Sequence, residues 1–264
     1  MMPGLEKLAQ GELIDLSQPM KPGMPLFAAH VPFSFSLNIR HVDMALPEGL
    51  GMANDVIMGC THSGTHIDAI GHFARNGCMH GGIDVREAVT GHGGLAKNGI
   101  EQTPPILRRG VLFDVAGYKQ KDALDPAYAI TADDLEKTAK AQAMELRPSD
   151  VALIRTGWGK LWDAAPKYVG PNGIPGPNVD AAQWLLRKGT FLTGSDTMTY
   201  EVSEELPGCA VHGLLLADHG VQIMENMDLE SLASRRIYTF LFFAAPLRIV
   251  GATGSPIRPI AICS

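Results

Sequence analysis

Short runs in which apolar residues dominate, bounded by charges or turn residues, recur along this chain of 264 residues. Residues 55–60, 109–114, 150–155 and 190–193 each have an apolar centre of strand length, and residues 237–245 have the length and aromatic content of a buried strand. Two stretches change to a helical period. Thr131-Ala132-Asp133-Asp134 has the form of a capping box, with aspartate in place of glutamate, and predicts a helix running to about Leu146. Asn178 predicts the cap of a second helix, which Gly189 stops. Further on, residues 212–220 predict a helix of about two turns ending on glycine, and residues 221–225 a strand. A helix of eight residues advances roughly 12 Å and a strand of five roughly 16 Å, so an antiparallel return carries Glu225 back towards His212. The mixture of strands and helices predicts an α/β fold, and the length fits one domain spanning residues 1–264.

Composition narrows the class. A hydrophobic share of 45% with 19% charged residues is that of a soluble globular protein, and the apolar runs are too short or interrupted for a membrane span. Residues 1–7 lack the basic start and apolar stretch of a signal peptide, so a cytoplasmic location is expected. The net charge of −6, with no basic stripe and with Arg108-Arg109 and Arg235-Arg236 as isolated pairs, argues against nucleic acid as a partner. Four cysteines without a C-x-x-C pair are expected to be reduced, and Cys60 to be a small buried hydrophobe. The 29 glycines and 18 prolines imply many loops, where site residues tend to be mounted.

The chemistry concentrates in residues 62–72, which read His62-Ser63-Gly64-Thr65-His66-Ile67-Asp68-Ala69-Ile70-Gly71-His72. Two imidazoles and a carboxylate within seven residues are ligands for zinc and other first-row divalent ions. Residues 63–65 are poor helix sequence, whereas an extended segment puts His66 and Asp68 on one face, and a bend at Ser63-Gly64 turns His62 back towards them. Strand, turn, strand is the prediction, with Thr65 and Ile67 in the packing and Gly64 letting the backbone approach a metal. His72 lies near without being a ligand. A metal-free core cluster is the alternative, but it leaves several buried polar groups to satisfy at roughly 1–3 kcal/mol each. His30, His41, His80 and His92 are expected at the surface, and His219 is explained by its place in a last helical turn. Phe33, Phe35, Trp158 and Trp162 fit either a pocket or the core. For His212 and Glu225 the residues alone leave two roles open: site residues, or a polar helix start and a loop carboxylate.

The run resembles the H-x-G-T-H-x-D-x-x-x-H signature of the metal-dependent cyclase-like hydrolases, which include bacterial kynurenine formamidase and isatin hydrolase. The similarity extends through Asp15-Leu16-Ser17, Thr193-Gly194-Ser195-Asp196 and the stretch from His212 to Glu230. It implies a swivelling β/β/α fold, metal ligation by His62, His66 and Asp68, and proton transfer by His72. It also implies that His212 and Glu225 complete a two-metal site, and that the chain forms a homodimer or homotetramer. Ile70-Gly71 stands where the formamidases usually have a proline, closer to the isatin hydrolase-like branch. The loop at residues 22–27 lacks the formamidase tryptophan, and Phe27 is expected to offer the aromatic face to substrate. The expected activity is hydrolysis of a small cyclic amide or lactone, with one or two Mn2+ or Zn2+ ions as cofactor. An arylformamidase acting on N-formylkynurenine and a non-catalytic metal-dependent binding protein are the alternatives.

Overall fold

The computed structural model describes residues 10–44, 46–89, 91–203 and 209–263. Residues 1–7, the stretch read for a leader, lie outside them. Apart from the segment 55–60, the predicted strands fall within one nine-stranded mixed sheet. In chain order its strands are β1 (Glu12–Asp15), β2 (His66–Asp68), β3 (Ile106–Asp114), β4 (Val151–Arg155), β5 (Leu192–Ser195), β6 (Gln222–Glu225), β7 (Thr239–Ala244), β8 (Gly254–Pro256) and β9 (Ile260–Cys263). Across the sheet they run β1-β9-β7-β3-β4-β5-β6-β2-β8. The block β3-β4-β5-β6 is parallel, and every other neighbouring pair is antiparallel.

Alternation along the strands divides the core in two. Val111, Phe113, Ala152, Ile154 and Ile223 pack on one face against Leu135, Ala181, Leu185, Leu215 and Leu216. Leu112, Val151, Leu153, Ile67, Met224 and Phe242 pack on the other with Leu229 and Leu232. The first face is covered by α1 (Ala132–Ala141) and α2 (Val179–Arg187).

Both helices start where their caps predict. Thr131 and Asp134 form the reciprocal capping box, and the Asn178 side chain accepts from Ala181 N. The first ends at Ala141 rather than near Leu146, because Ala143 turns into the left-handed region at φ 48°; Leu146 then returns to the core. Gly189, at φ 73°, follows the end of the second. The segment 55–60 forms its expected strand, over residues 54–58. Asn54–Met58 pairs with Ser34–Ile39 in a separate two-stranded hairpin, not in the main sheet. Its Phe35, Ile57 and Met58 are 47%, 66% and 61% exposed, since an apolar run does not specify which partner covers it. Among the described residues no helix is long and apolar enough to cross a membrane.

Candidate metal centre

β2 and β6 are antiparallel neighbours in which His66 pairs with Glu225 and Ile67 with Met224. Because side chains alternate along a strand, Ile67 and Met224 enter the core while His66, Asp68 and Glu225 project together from the opposite face. The turn that precedes β2 brings His62 round to them. Gly64 adopts φ 66°, and a Cβ there would fall 2.9 Å from Met20 Cγ. Its carbonyl accepts from Asn226 Nδ2 at 2.9 Å and lies 2.9 Å from His66 Nδ1. Gly64 therefore sets the turn and orients the His66 ring, while the His62 ring needs space beside it. That space comes from Gly254, which pairs with Asp68 in β8. A Cβ on Gly254 would lie 2.6 Å from the nearest atom of the His62 ring.

The second half arrives as the predicted reach requires. Residues 210–212 form one α-turn that widens into a π-helix over Gly213–Asp218. The chain turns at Gly220, at φ 65°, and β6 returns so that His212 Nε2 stands 3.1 Å from Glu225 Oε1. The structure thus brings His212 and Glu225 together beside Asp68 of the histidine run.

Asp68 is the hub. It is 1% exposed, and neither carboxylate oxygen makes an aligned hydrogen bond. Yet its Oδ1 is 2.8 Å from His62 Nδ1 and 3.6 Å from His66 Nε2, and its Oδ2 is 3.7 Å from His212 Nε2. His66 Nε2 is also 3.3 Å from Glu225 Oε2. Donor atoms of Asp68, His212 and Glu225 lie within 4.8 Å of one another, and so do those of His62, Asp68 and His72. The second set differs from expectation. His72 shares it with His62, their ring centroids 4.1 Å apart, while His66 sits between Asp68 and Glu225.

Each of the three other imidazoles holds a second partner with its remaining nitrogen. His62 Nε2 meets Thr253 Oγ1 at 2.9 Å, His66 Nδ1 meets the Gly64 carbonyl and His212 Nδ1 meets Glu201. This is the support that metal-bound histidines ordinarily have. Buried carboxylate oxygens without hydrogen bonds, ringed by braced imidazoles, fit a divalent cation.

Electrostatics agree with mutual dependence among these groups. Burial pushes the Asp68 carboxyl up, but His72, His62 and His66 outweigh it and hold the group below the usual carboxylate range. Glu225 is likewise held down by His212 and His66 against burial. His212 is raised because Glu201 and Glu225 overcome its desolvation. Burial lowers His72 to about 4, making it a neutral imidazole at neutral pH.

Above the centre lies a cavity of about 220 Å³ whose lining includes Phe27, His30, Phe73 and Met198 together with the imidazoles. Phe27 is where expected. His30 is not, since its ring packs between Phe27 at 5.1 Å and His62 at 5.8 Å. His80 is also half-buried, and a Cβ on Gly220 would strike its ring. His41 and His92 are exposed as expected, and so is His219, just past the π-helix. Trp158 and Trp162 are buried, their indole nitrogens donating to the Leu124 and Pro19 carbonyls. The four cysteines are free, and Cys60 is half-buried. Glu201, Asn226, Thr253 and Gly254 escaped the sequence reading because no local spacing ties them to the histidine run.

A family model, Cyclase, matches residues 14–202. Isatin hydrolase of Roseibium aggregatum is 27% identical over an alignment of 272 residues, covering 97% of this chain and 94% of that protein. Kynurenine formamidase of Bacillus cereus is 26% identical over 252 residues, covering 94% of this chain and 96% of its own. A crystal structure of a cyclase matches with a TM-score of 0.88 and 30% identity, covering 99% of this chain and 90% of that one, as the expected cyclase fold requires. In fold and in sequence, this chain belongs to the cyclase family.

Proposed function

We propose that this protein is a metal-dependent hydrolase that opens a small cyclic amide or lactone. In this reading His62, His66 and Asp68 hold one divalent ion, and Asp68, His212 and Glu225 hold a second. The observation that carries it is Asp68, a carboxylate buried without an aligned hydrogen bond beneath a cavity, its oxygens 2.8 Å from His62, 3.6 Å from His66 and 3.7 Å from His212. A bound ion would supply hydroxide at neutral pH and polarise the scissile carbonyl. Manganese and zinc both suit the donor set.

His72 is the acid-base group. Its neutral ring accepts the proton of the attacking water and returns it to the departing nitrogen or alkoxide. Phe27, Phe73 and Met198 give the cavity apolar walls that favour a flat ring and exclude water. Likeness to isatin hydrolase, and Ile70-Gly71 in place of the formamidase proline, support ring opening over cleavage of a linear substrate. Self-association, implied by the resemblance, gains support from the apolar residues exposed on the hairpin; sedimentation of the full chain measures it.

The deciding experiment removes metal with a chelator and assays isatin, lactones, hydantoin-like rings and N-formylkynurenine before and after adding Mn2+ or Zn2+. Ring opening that is lost and then restored is the expected result. Activity indifferent to chelation overturns the reading. Likeness to the formamidase supports arylformamidase as a second reading, and N-formylkynurenine turned over faster than every ring substrate would put it first.

A further inference from the structure

Glu201 is a buried carboxylate, 4% exposed, with two tasks at the start of the segment that carries His212. Its Oε2 accepts from Val211 N at 2.9 Å and its Oε1 from His212 N at 3.0 Å, capping a helix start that has no side-chain cap of its own. Capping needs nothing more. The same Oε1 nevertheless also lies 2.5 Å from His212 Nδ1. Both Glu201 oxygens already accept from backbone N–H groups, so the carboxylate is placed as an acceptor here too, and the donor facing it is Nδ1. The opposite nitrogen, Nε2, faces Glu225 Oε1 at 3.1 Å and Asp68 Oδ2 at 3.7 Å.

We infer that Glu201 is the positioning residue of His212: it keeps the Nδ1 proton in place and aims Nε2 at Asp68 and Glu225. His62 and His66 lean on neutral oxygens, those of Thr253 and the Gly64 carbonyl. His212 leans on a carboxylate, which orients the ring and raises its basicity as a ligand. The consequence for metal binding rests on the two-ion reading above; the placement of the proton does not.

The test uses the full chain with Glu201→Ala and Glu201→Gln. Glutamine retains an acceptor oxygen for His212 Nδ1 and gives up only the bond to Val211 N, so it guards against a variant that merely fails to fold. In metal-free wild type, 15N signals of the His212 ring, assigned with His212→Gln and followed upward in pH, should show Nε2 losing its proton while Nδ1 keeps its own. Calorimetry with Zn2+ should show the alanine variant losing about 10- to 100-fold in affinity for one equivalent while the other is unchanged. The glutamine variant should recover most of that loss. An unprotonated Nδ1 in wild type, an alanine variant that binds both ions normally or loses both together, or a glutamine variant as impaired as alanine overturns the inference. Uptake of a single equivalent by wild type sinks the two-ion reading alone, and the Nδ1 signal then decides the role of Glu201.

Discussion

Glu225 stands directly opposite His66 across the antiparallel β6–β2 pair, and its Oε2 lies 3.3 Å from His66 Nε2. A residue from each half of the centre thus meets in one cross-strand pair, so the register of two short strands sets the spacing between candidate ligands. Sliding either strand by one residue would send these side chains into the opposite core.

Replacing Glu225 with alanine should reduce the metal content from two equivalents per chain to one, measured by elemental analysis after dialysis. One equivalent in wild type would reject the two-ion form. In that case His212 and Glu225 orient water or substrate beside a single ion.

Gly254→Ala tests the space beside His62. The added Cβ would sit 2.6 Å from the ring with little room for it to yield, because His62 Nε2 is held by Thr253 and Nδ1 faces Asp68. Overpacking of this kind costs about 1–3 kcal/mol. The expected outcome is a lower unfolding midpoint in urea together with weakened binding of the ion assigned to His62, His66 and Asp68. Unchanged affinity would show that the ring can move freely.

His72→Ala should leave metal content intact and lower kcat by about 10²- to 10⁴-fold, the usual contribution of a positioned acid-base group. The pH profile carries a sign. Burial brings His72 from 6.5 down to about 4, so the proton-accepting form persists well into the acid range and is lost as pH falls through the lowered value. The acid limb of kcat/KM that belongs to His72 should therefore fall below pH 6.5 and vanish in the alanine variant. The same shift makes stability fall as pH drops from 6.5 to about 4, a loss that persists below, because in that window the unfolded chain takes up a proton that the folded one does not.

Tyr168→Phe probes the support under the turn. The Tyr168 hydroxyl is 2.8 Å from Asn226 Oδ1, while Asn226 Nδ2 holds the Gly64 carbonyl beside His66. Removing the hydroxyl leaves a buried acceptor unpaired, at about 1–3 kcal/mol. Chemical denaturation should show that loss, with a smaller fall in metal affinity than any ligand variant causes.

What could be read from the chain beforehand follows the range of each interaction. His62, His66 and Asp68 were legible because ligand spacing within seven residues is a local property. Thr131 and Asn178 were legible because a cap acts on the next three residues. His212 and Glu225 needed an estimate of reach, and it succeeded because one helix and one strand joined them. Glu201, Asn226 and Gly254 were illegible, since their roles depend on pairings formed only in the folded sheet. The strand at Asn54–Met58 was legible but its partner was not, for the same reason: its apolar pattern says that it pairs, not with what.

Asn226, which holds the turn before His66, is 160 residues away from it in sequence. Closing so long a loop costs entropy that grows as the logarithm of its length, and such distant pairings slow folding. The docking of β2 beside β6 is therefore a step for which local structure gives little help. An ion that binds only after that step pulls the equilibrium towards it, by about 2.7 kcal/mol when its concentration is a hundredfold above Kd. The centre would then act as a clasp for the sheet's edge, and metal supply would govern how much of the chain reaches its native form as well as how fast that form works.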